Sequence, residues 1–212
     1  NTEMIDNLFS GFNPFSISVS VFGSEESNDN NYGHIIGKGY TPEGYGENPK
    51  SFMLFKENAS NVSFILYTTN SDWVRIQCST LEMFPINEWS EITITYNGSS
   101  NFSNTDDYVN NLKIYRNGVE LEVVGTTGVG NFTGIQTSNN EPLIFGSRVM
   151  ESSLQTHMPW VGEMDNVSIW NNCLSEEEIQ DYIYCPLTGI ENGLIVYWNF
   201  EEGAGDMIYD LS

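Results

Sequence analysis

Phe15, Ile17, Val19 and Val21 are apolar and the residues between them are serines. Successive side chains of a strand point to opposite faces, so residues 15–21 read as an antiparallel strand with one face on a core. Residues 34–36 form a short strand that ends at Gly37-Lys38-Gly39. Residues 52–55, 62–67 and 73–78 are apolar runs at hairpin-like spacing. The strand opened by Asn87-Glu88-Trp89 turns Ile92, Ile94 and Tyr96 inward and Glu91, Thr93 and Thr95 outward. Residues 97–111 are a polar excursion. Asn117-Gly118 then joins strands 112–115 and 119–124 as a two-residue hairpin. In the second of these, Val119, Leu121 and Val123 are expected to point inward. Residues 142–145 form a short strand, and 147–159 a loop. Residues 193–200 are apolar on both faces, the pattern of a central or fully covered strand.

The stretch 160–179 organises the rest. It reads as a strand running into a short helix. Period two puts Asp165, Val167 and Ile169 on one face, and Asn166, Ser168 and Trp170 on the other. A carboxylate on the apolar side is costly unless it is hydrogen-bonded or holds a cation. Ser175 is placed as the N-cap of the helix, with Glu178 as its capping-box partner and Leu174 and Ile179 at the staple positions. Cys185-Pro186 ends the helix. About a dozen short strands and one helix near the C-terminus specify an all-β sandwich.

Charge narrows the partners. The 212 residues carry 7 Lys+Arg against 29 Asp+Glu, a formal net charge of −22. Nucleic acid and anionic membrane are excluded, because their phosphates would be repelled. No apolar run is long enough for membrane insertion as a helix. Residues 1–6 read as a cut through a longer protein, so the lack of a signal peptide does not argue against secretion. Cys78, Cys173 and Cys185 allow one disulfide at most, and buried thiols are the expectation. Six Asn-X-Ser/Thr sequons, at Asn58, Asn61, Asn97, Asn101, Asn131 and Asn166, fit chance occurrence in an Asn-rich chain.

The strand and helix of 160–179, Asn87-Glu88-Trp89 before a strand, and Lys113-Ile-Tyr-Arg-Asn-Gly118 together resemble the laminin G-like, concanavalin A-like lectin/glucanase domains. Residues 15–21 resemble the first long strand of that fold, Ile35 to Gly39 the strand and turn after it, and 162–179 its closing strand and helix. The resemblance covers about residues 5 to 186. It implies an antiparallel jelly-roll β-sandwich, here a single domain over 1–212. Residues 193–212 resemble the start of a domain of the same family. They are either the closing strand of this domain, folded back, or the beginning of a following repeat.

Three kinds of chemistry are candidates. Family members often hold a structural calcium beside the closing strand, and Asp165 matches the position of its aspartate. Hard cations need several oxygens at once. Glu202, Asp206 and Asp210, on the acidic turn near Glu201, would complete a Ca2+ site if the tail folds back. No Cys/His spacing suggests zinc. The second candidate is a glycan surface built on Trp73, Tyr45, Arg148, His157 and Trp160, since sandwich lectins bind sugars with ring faces and a few polar groups; large aromatics fill cores and close sheet ends more often than they bind ligands. The third is catalysis. Glu163-Met-Asp165 resembles the carboxylate strand of glucanases, but Val167 and Ser168 stand where another carboxylate is required. His34 and His157 lie in no recognisable nucleophile motif. The expectation is therefore a non-enzymatic recognition or adhesion module of a larger secreted or cell-surface protein. Its partners would be a glycan or glycoprotein and neighbouring domains of the same polypeptide. A ligand-free spacer in a repeat array, or a glycoside hydrolase or lyase relative, are the alternatives.

Overall fold

A computed structural model of the chain describes residues 2–24, 32–39, 51–57, 61–69, 71–79, 87–137, 141–149 and 156–212. The serine-spaced segment forms β1 (Phe15–Gly23), and its four apolar side chains are fully buried. It lies between β6 (Trp89–Tyr96) and β13 (Gly162–Trp170), antiparallel to both. The first sheet runs β14 (Leu194–Trp198), β13, β1, β6, β7 (Leu112–Arg116), β8 (Val119–Glu120). The second runs β10 (Leu143–Phe145), β2 (Gly33–Lys38), β3 (Phe52–Lys56), β4 (Asn61–Tyr67), β5 (Trp73–Ser79), β9 (Val123–Val129). A two-stranded ribbon pairs β11 (Arg148–Val149) with β12 (Thr156–His157).

The core lies between the two sheets. Ile17, Ile92, Ile94, Ile114 and Ile169 of the first sheet meet Phe52, Leu54, Phe64, Leu66 and Ile76 of the second. Phe9 closes one end, its ring 5.0 Å from Phe15 and 4.6 Å from Phe52. It follows helix α1 (Thr2–Leu8), which is held by a buried ion pair of 2.5 Å between Asp6 and Lys38. The hairpin at Asn117-Gly118 has φ of 48° and 77°, the left-handed pair that a two-residue turn of this kind requires.

Helix α2 (Thr105–Asn111) arises inside the polar excursion. Its signal is a capping box between Asn104 and Asp107, which the polar composition masks. Helix α3 (Glu176–Tyr184) begins at Ser175, and Ser175 and Glu178 bond reciprocally as the spacing dictates. Ile179 buries against Tyr115, Trp170 and Leu174 on the outer face of the first sheet. The Tyr182 ring stacks on Trp170 at 4.5 Å.

Several local expectations change. The segment 119–124 is not one strand. Leu121 N–H bonds Ile114 O at 2.9 Å, and the chain then crosses to the second sheet, where Val123 pairs with Cys78. Val119, expected inside, is exposed. Among the described residues, the strand at 193–200 pairs with β13 alone and is an edge, not central. Its apolar second face packs partly against residues of both neighbouring clusters. Cys173 and Cys185 are exposed thiols, and only Cys78 is buried.

The largest correction concerns Asp165. Ser18 pairs with Ser168, but Ser20 pairs with Asp165. Two residues of β13, Asn166 and Val167, therefore oppose one of β1, Val19. The extra residue is Asn166, at a left-handed φ of 49°. One added residue inverts the alternation. Met164 packs towards the core, while Asp165 shares the outer face with Ser20 and accepts the Asn166 N–H at 2.8 Å. The carboxylate thus lies on the outer face and not on the apolar side.

Candidate functional site

The outer face of the second sheet is apolar where a solvent-facing sheet would be polar. Odd-numbered positions point there: Met53, Phe55 and Glu57 of β3 and the residue after it; Ser63, Ile65 and Tyr67 of β4; Trp73, Arg75 and Gln77 of β5. Pairing sets Gly37, Met53, Ile65 and Arg75 in one row across the sheet, and Tyr67 opposite Trp73. Met53, Phe55, Ile65 and Tyr67 form a separate buried cluster, with Trp73 half-buried against it. A groove of about 290 Å³ lies over these residues. Tyr32, His34, Arg148 and Met158 supply its remaining walls. Tyr32 stacks on Phe55 with ring centres 6.3 Å apart.

The polar groups of the groove are few and fixed. Glu57 accepts from Arg75 at 3.0 Å, from the Ser63 hydroxyl at 2.9 Å and from the Gln77 amide. Arg75 in turn sits over the Trp73 ring. A register shift between His34 and Ile36 turns the His34 ring outward, across Gly37. A Cβ on Gly37 would meet His34 Nε2 at 2.8 Å, so a glycine is needed beneath the imidazole. Burial, and then the charge of Arg148, push His34 down to about 3, so the ring is neutral. Burial likewise keeps the Tyr67 phenol protonated, although Arg148 and Arg75 both pull the other way. His34 Nδ1 and Arg75 Nε are buried and meet no hydrogen-bond partner among the described residues.

The arrangement is an apolar, ring-lined floor with a few convergent polar groups, the usual make-up of a small-molecule site. The model of a laminin G family in the concanavalin A-like lectin/glucanases superfamily matches residues 6–180. The chain belongs to this superfamily.

Several solved structures share the fold of this domain. A candidate carbohydrate binding protein from Bacteroides ovatus superposes with a TM-score of 0.60 at 14% identity, over 94% of this chain and 50% of that one. The binding domain of botulinum neurotoxin serotype D/C gives 0.56 at 17%, over 87% and 38%. The CBM40 of Ruminococcus gnavus IT-sialidase, bound to α2,6 sialyllactose, gives 0.53 at 14%, over 84% and 85%. The chain thus spans half or less of the first two. At these identities the likeness is one of fold. No curated protein matches the sequence.

Of the glycan residues expected in this domain, the structure brings Trp73 and Arg148 into the one groove. His157 stands opposite Arg148 in the ribbon, exposed at the rim next to Met158. Trp160 goes elsewhere. It is 8% exposed, joins the main core, and packs on Gly33, where a Cβ would meet its ring at 3.3 Å. Tyr45 lies outside the described residues. His34, Tyr67 and Arg75 were not singled out by the sequence. The signal was present in 52–55 and 64–67, which are apolar at consecutive positions and so apolar on both faces.

The expected calcium ligands do not gather. No group of three or more His, Cys, Asp or Glu side chains could hold a metal among the described residues. Asp165 is turned outward by the bulge. Glu202 accepts the Tyr209 N–H at 2.8 Å, and Asp210 accepts those of Tyr197 and Ser212. Asp206 is exposed. Asp165, Glu202 and Asp210 thus each accept backbone N–H groups and, among the described residues, do not form one cluster for Ca2+.

A second cavity, of about 310 Å³, lies beneath α3 on the first sheet. Ser18, Ser20, Thr93 and Ser168 line its floor with Glu91. The Glu91 carboxyl accepts from both Ser18 and Ser20, and burial raises its pKa. Among the described residues, no guanidinium lines this cavity.

Proposed function

We propose that this domain recognises glycans, free or on glycoproteins, through the groove on the outer face of the second sheet, and does not turn them over. One observation carries the reading. Four rings, Tyr32, Phe55, Tyr67 and Trp73, surround a groove in which His34 Nδ1 and Arg75 Nε are buried with no described partner. A sugar presents apolar C–H faces to rings and hydroxyls to such polar atoms. Fold relatives support it. Besides the sialyllactose-bound CBM40, a botulinum neurotoxin DC binding domain in complex with SialylT shares the fold at TM-score 0.52 and 19% identity.

Among the described residues, the groove shows no carboxyl pair of the kind that glycoside hydrolysis uses. Glu57 is its one described carboxylate, and three donors already hold it. The setting we propose is extracellular or cell-surface, as one module of a longer polypeptide. A glycan array probed with the domain and with Trp73→Ala tests this. Binding that Trp73→Ala abolishes is the expected result. An array without binding sends the domain to the spacer reading, and turnover of a polysaccharide would overturn the non-catalytic one.

A further inference from the structure

The cavity beneath α3 has no part in the glycan groove, and the hydroxyls of its floor all point one way. The register of β1 sets two rows across this face of the first sheet. Thr93, Ser18 and Ser168 share one row, and Glu91, Ser20 and Asp165 the next. Ser18 and Ser20 each donate to the Glu91 carboxyl. A hydroxyl has a single proton, and Ser18 directs its own to Glu91. Thr93 is therefore the donor in the 2.8 Å contact between Thr93 and Ser18. The protons of Thr93, Ser18 and Ser20 thus run towards the carboxylate, and their oxygens are left as acceptors. Among the described residues, the lining holds no Lys, Arg or His, and no cation acts on Glu91. Burial raises the Glu91 pKa most, the two serine bonds oppose it, and the charge of Asp165 raises it further. Glu91 and Asp165 also both act on the phenol of Tyr197, which lines the same cavity. A shielded carboxylate met only by neutral hydroxyls is costly to ionise, and a cation within reach offsets that cost.

We infer that this cavity is a second binding site, for a small ligand that carries a primary ammonium on an apolar body. The ammonium donates to Glu91 and to the hydroxyl oxygens of Ser18 and Ser20. Three N–H donors and a positive charge match a floor of acceptors around one carboxylate. The body lies against the rings of Tyr182 and Tyr197 and the aliphatic side chains of Ile183 and Leu187. Ring faces beside the carboxylate favour the same charge. A cavity of about 310 Å³ is of the size that small ligands occupy. A quaternary ammonium has the charge without the N–H donors, and an alcohol lacks the charge.

The test is calorimetry with three probes, phenethylamine, phenethyl alcohol and trimethylphenethylammonium, and magnetic resonance of the tryptophan indole N–H groups. Phenethylamine is expected to bind at least about tenfold tighter than either of the others. The indole signal of Trp170, which lines the cavity and donates to Ser168, is expected to shift on binding. Glu91→Gln keeps the shape of the side chain, removes its charge, and is expected to abolish the preference for the amine. The comparison of probes and the indole signal use the unaltered domain, so they decide even where Glu91→Gln fails to fold. An alcohol bound as tightly as the amine would overturn the selection for charge. A trimethyl form bound as tightly would overturn the role of the hydroxyl oxygens. If no probe binds, or the amine shifts other indoles and leaves Trp170 unmoved, the site itself is overturned. The glycan groove is untouched by any of these results, since the two sites share no lining residue among those described.

Discussion

The Arg75 guanidinium lies 5.7 Å from the centre of the Trp73 ring, two residues back on the same strand. Glu57 holds the Arg75 end of the pair, and both Trp73 and Arg75 line the groove. Trp73→Ala should weaken glycan binding by about tenfold or more, or about 1.4 kcal/mol, and Trp73→Phe by less. Calorimetry on both variants checks this; equal affinity for wild type and Trp73→Ala would remove the ring from the site.

His34 sets a pH dependence. Its folded value of about 3 lies below the ordinary 6.5. Between those values the unfolded chain binds a proton that the fold excludes. Stability therefore falls as pH drops through that window, by on the order of 1 kcal/mol per unit. Glu91 has the opposite sign. Its raised value means the folded chain takes up the proton first, so its contribution declines as pH rises from the ordinary carboxyl range. Comparison with His34→Asn isolates the first effect. The wild type should gain on the variant as pH rises from 3 to 6.5, and the difference should level off above it. A difference that is flat with pH in urea unfolding would contradict a neutral, buried imidazole.

The bulge at Asn166 carries a backbone requirement. At φ 49° a glycine is at ease and a β-branched residue is not. Either change loses the Tyr197 hydroxyl bond to Asn166. Asn166→Val should therefore be less stable than Asn166→Gly by about 1–3 kcal/mol. Equal melting temperatures for the two would mean that the bulge does not persist in solution.

Asp6 and Lys38 are both nearly inaccessible, and Lys38 also donates to Glu141 O at 2.8 Å. Removing one partner strands a buried charge. Asp6→Ala should cost about 3–5 kcal/mol, and the double change with Lys38→Met should recover much of it. Urea denaturation of the two variants decides; a double variant no better than the single would show that the charge is not what Asp6 neutralises.

Calcium follows from the positions of the carboxylates. Asp165, Glu202 and Asp210 each accept backbone N–H groups. Added Ca2+ or a chelator should leave the melting temperature unchanged. A rise with Ca2+ that Asp165→Ala abolishes would restore the metal site expected from the family.

Much of the scaffold was legible because it is local. Alternation in 15–21, the Asn-Gly turn and the Ser175–Glu178 box each involve residues a few positions apart. The groove was not. Its side chains come from β3, β4, β5, the start of β2 and the ribbon, and only cross-strand register sets Met53 beside Ile65 and Tyr67 opposite Trp73. Trp160 shows the limit for single residues, since a tryptophan before a strand reads the same whether it meets a sugar or a glycine.

The sequence by itself determined most of the long strands, where the helix after β13 starts, and that the chain is an acidic sandwich that resembles the lectin type. Those follow from side-chain period and capping, which act within one segment. The tertiary structure decided which face Asp165 takes and which arginines share a ring-lined groove. One left-handed residue reverses a strand's faces, and neighbouring strands come from distant parts of the chain, so neither outcome is written in any single stretch.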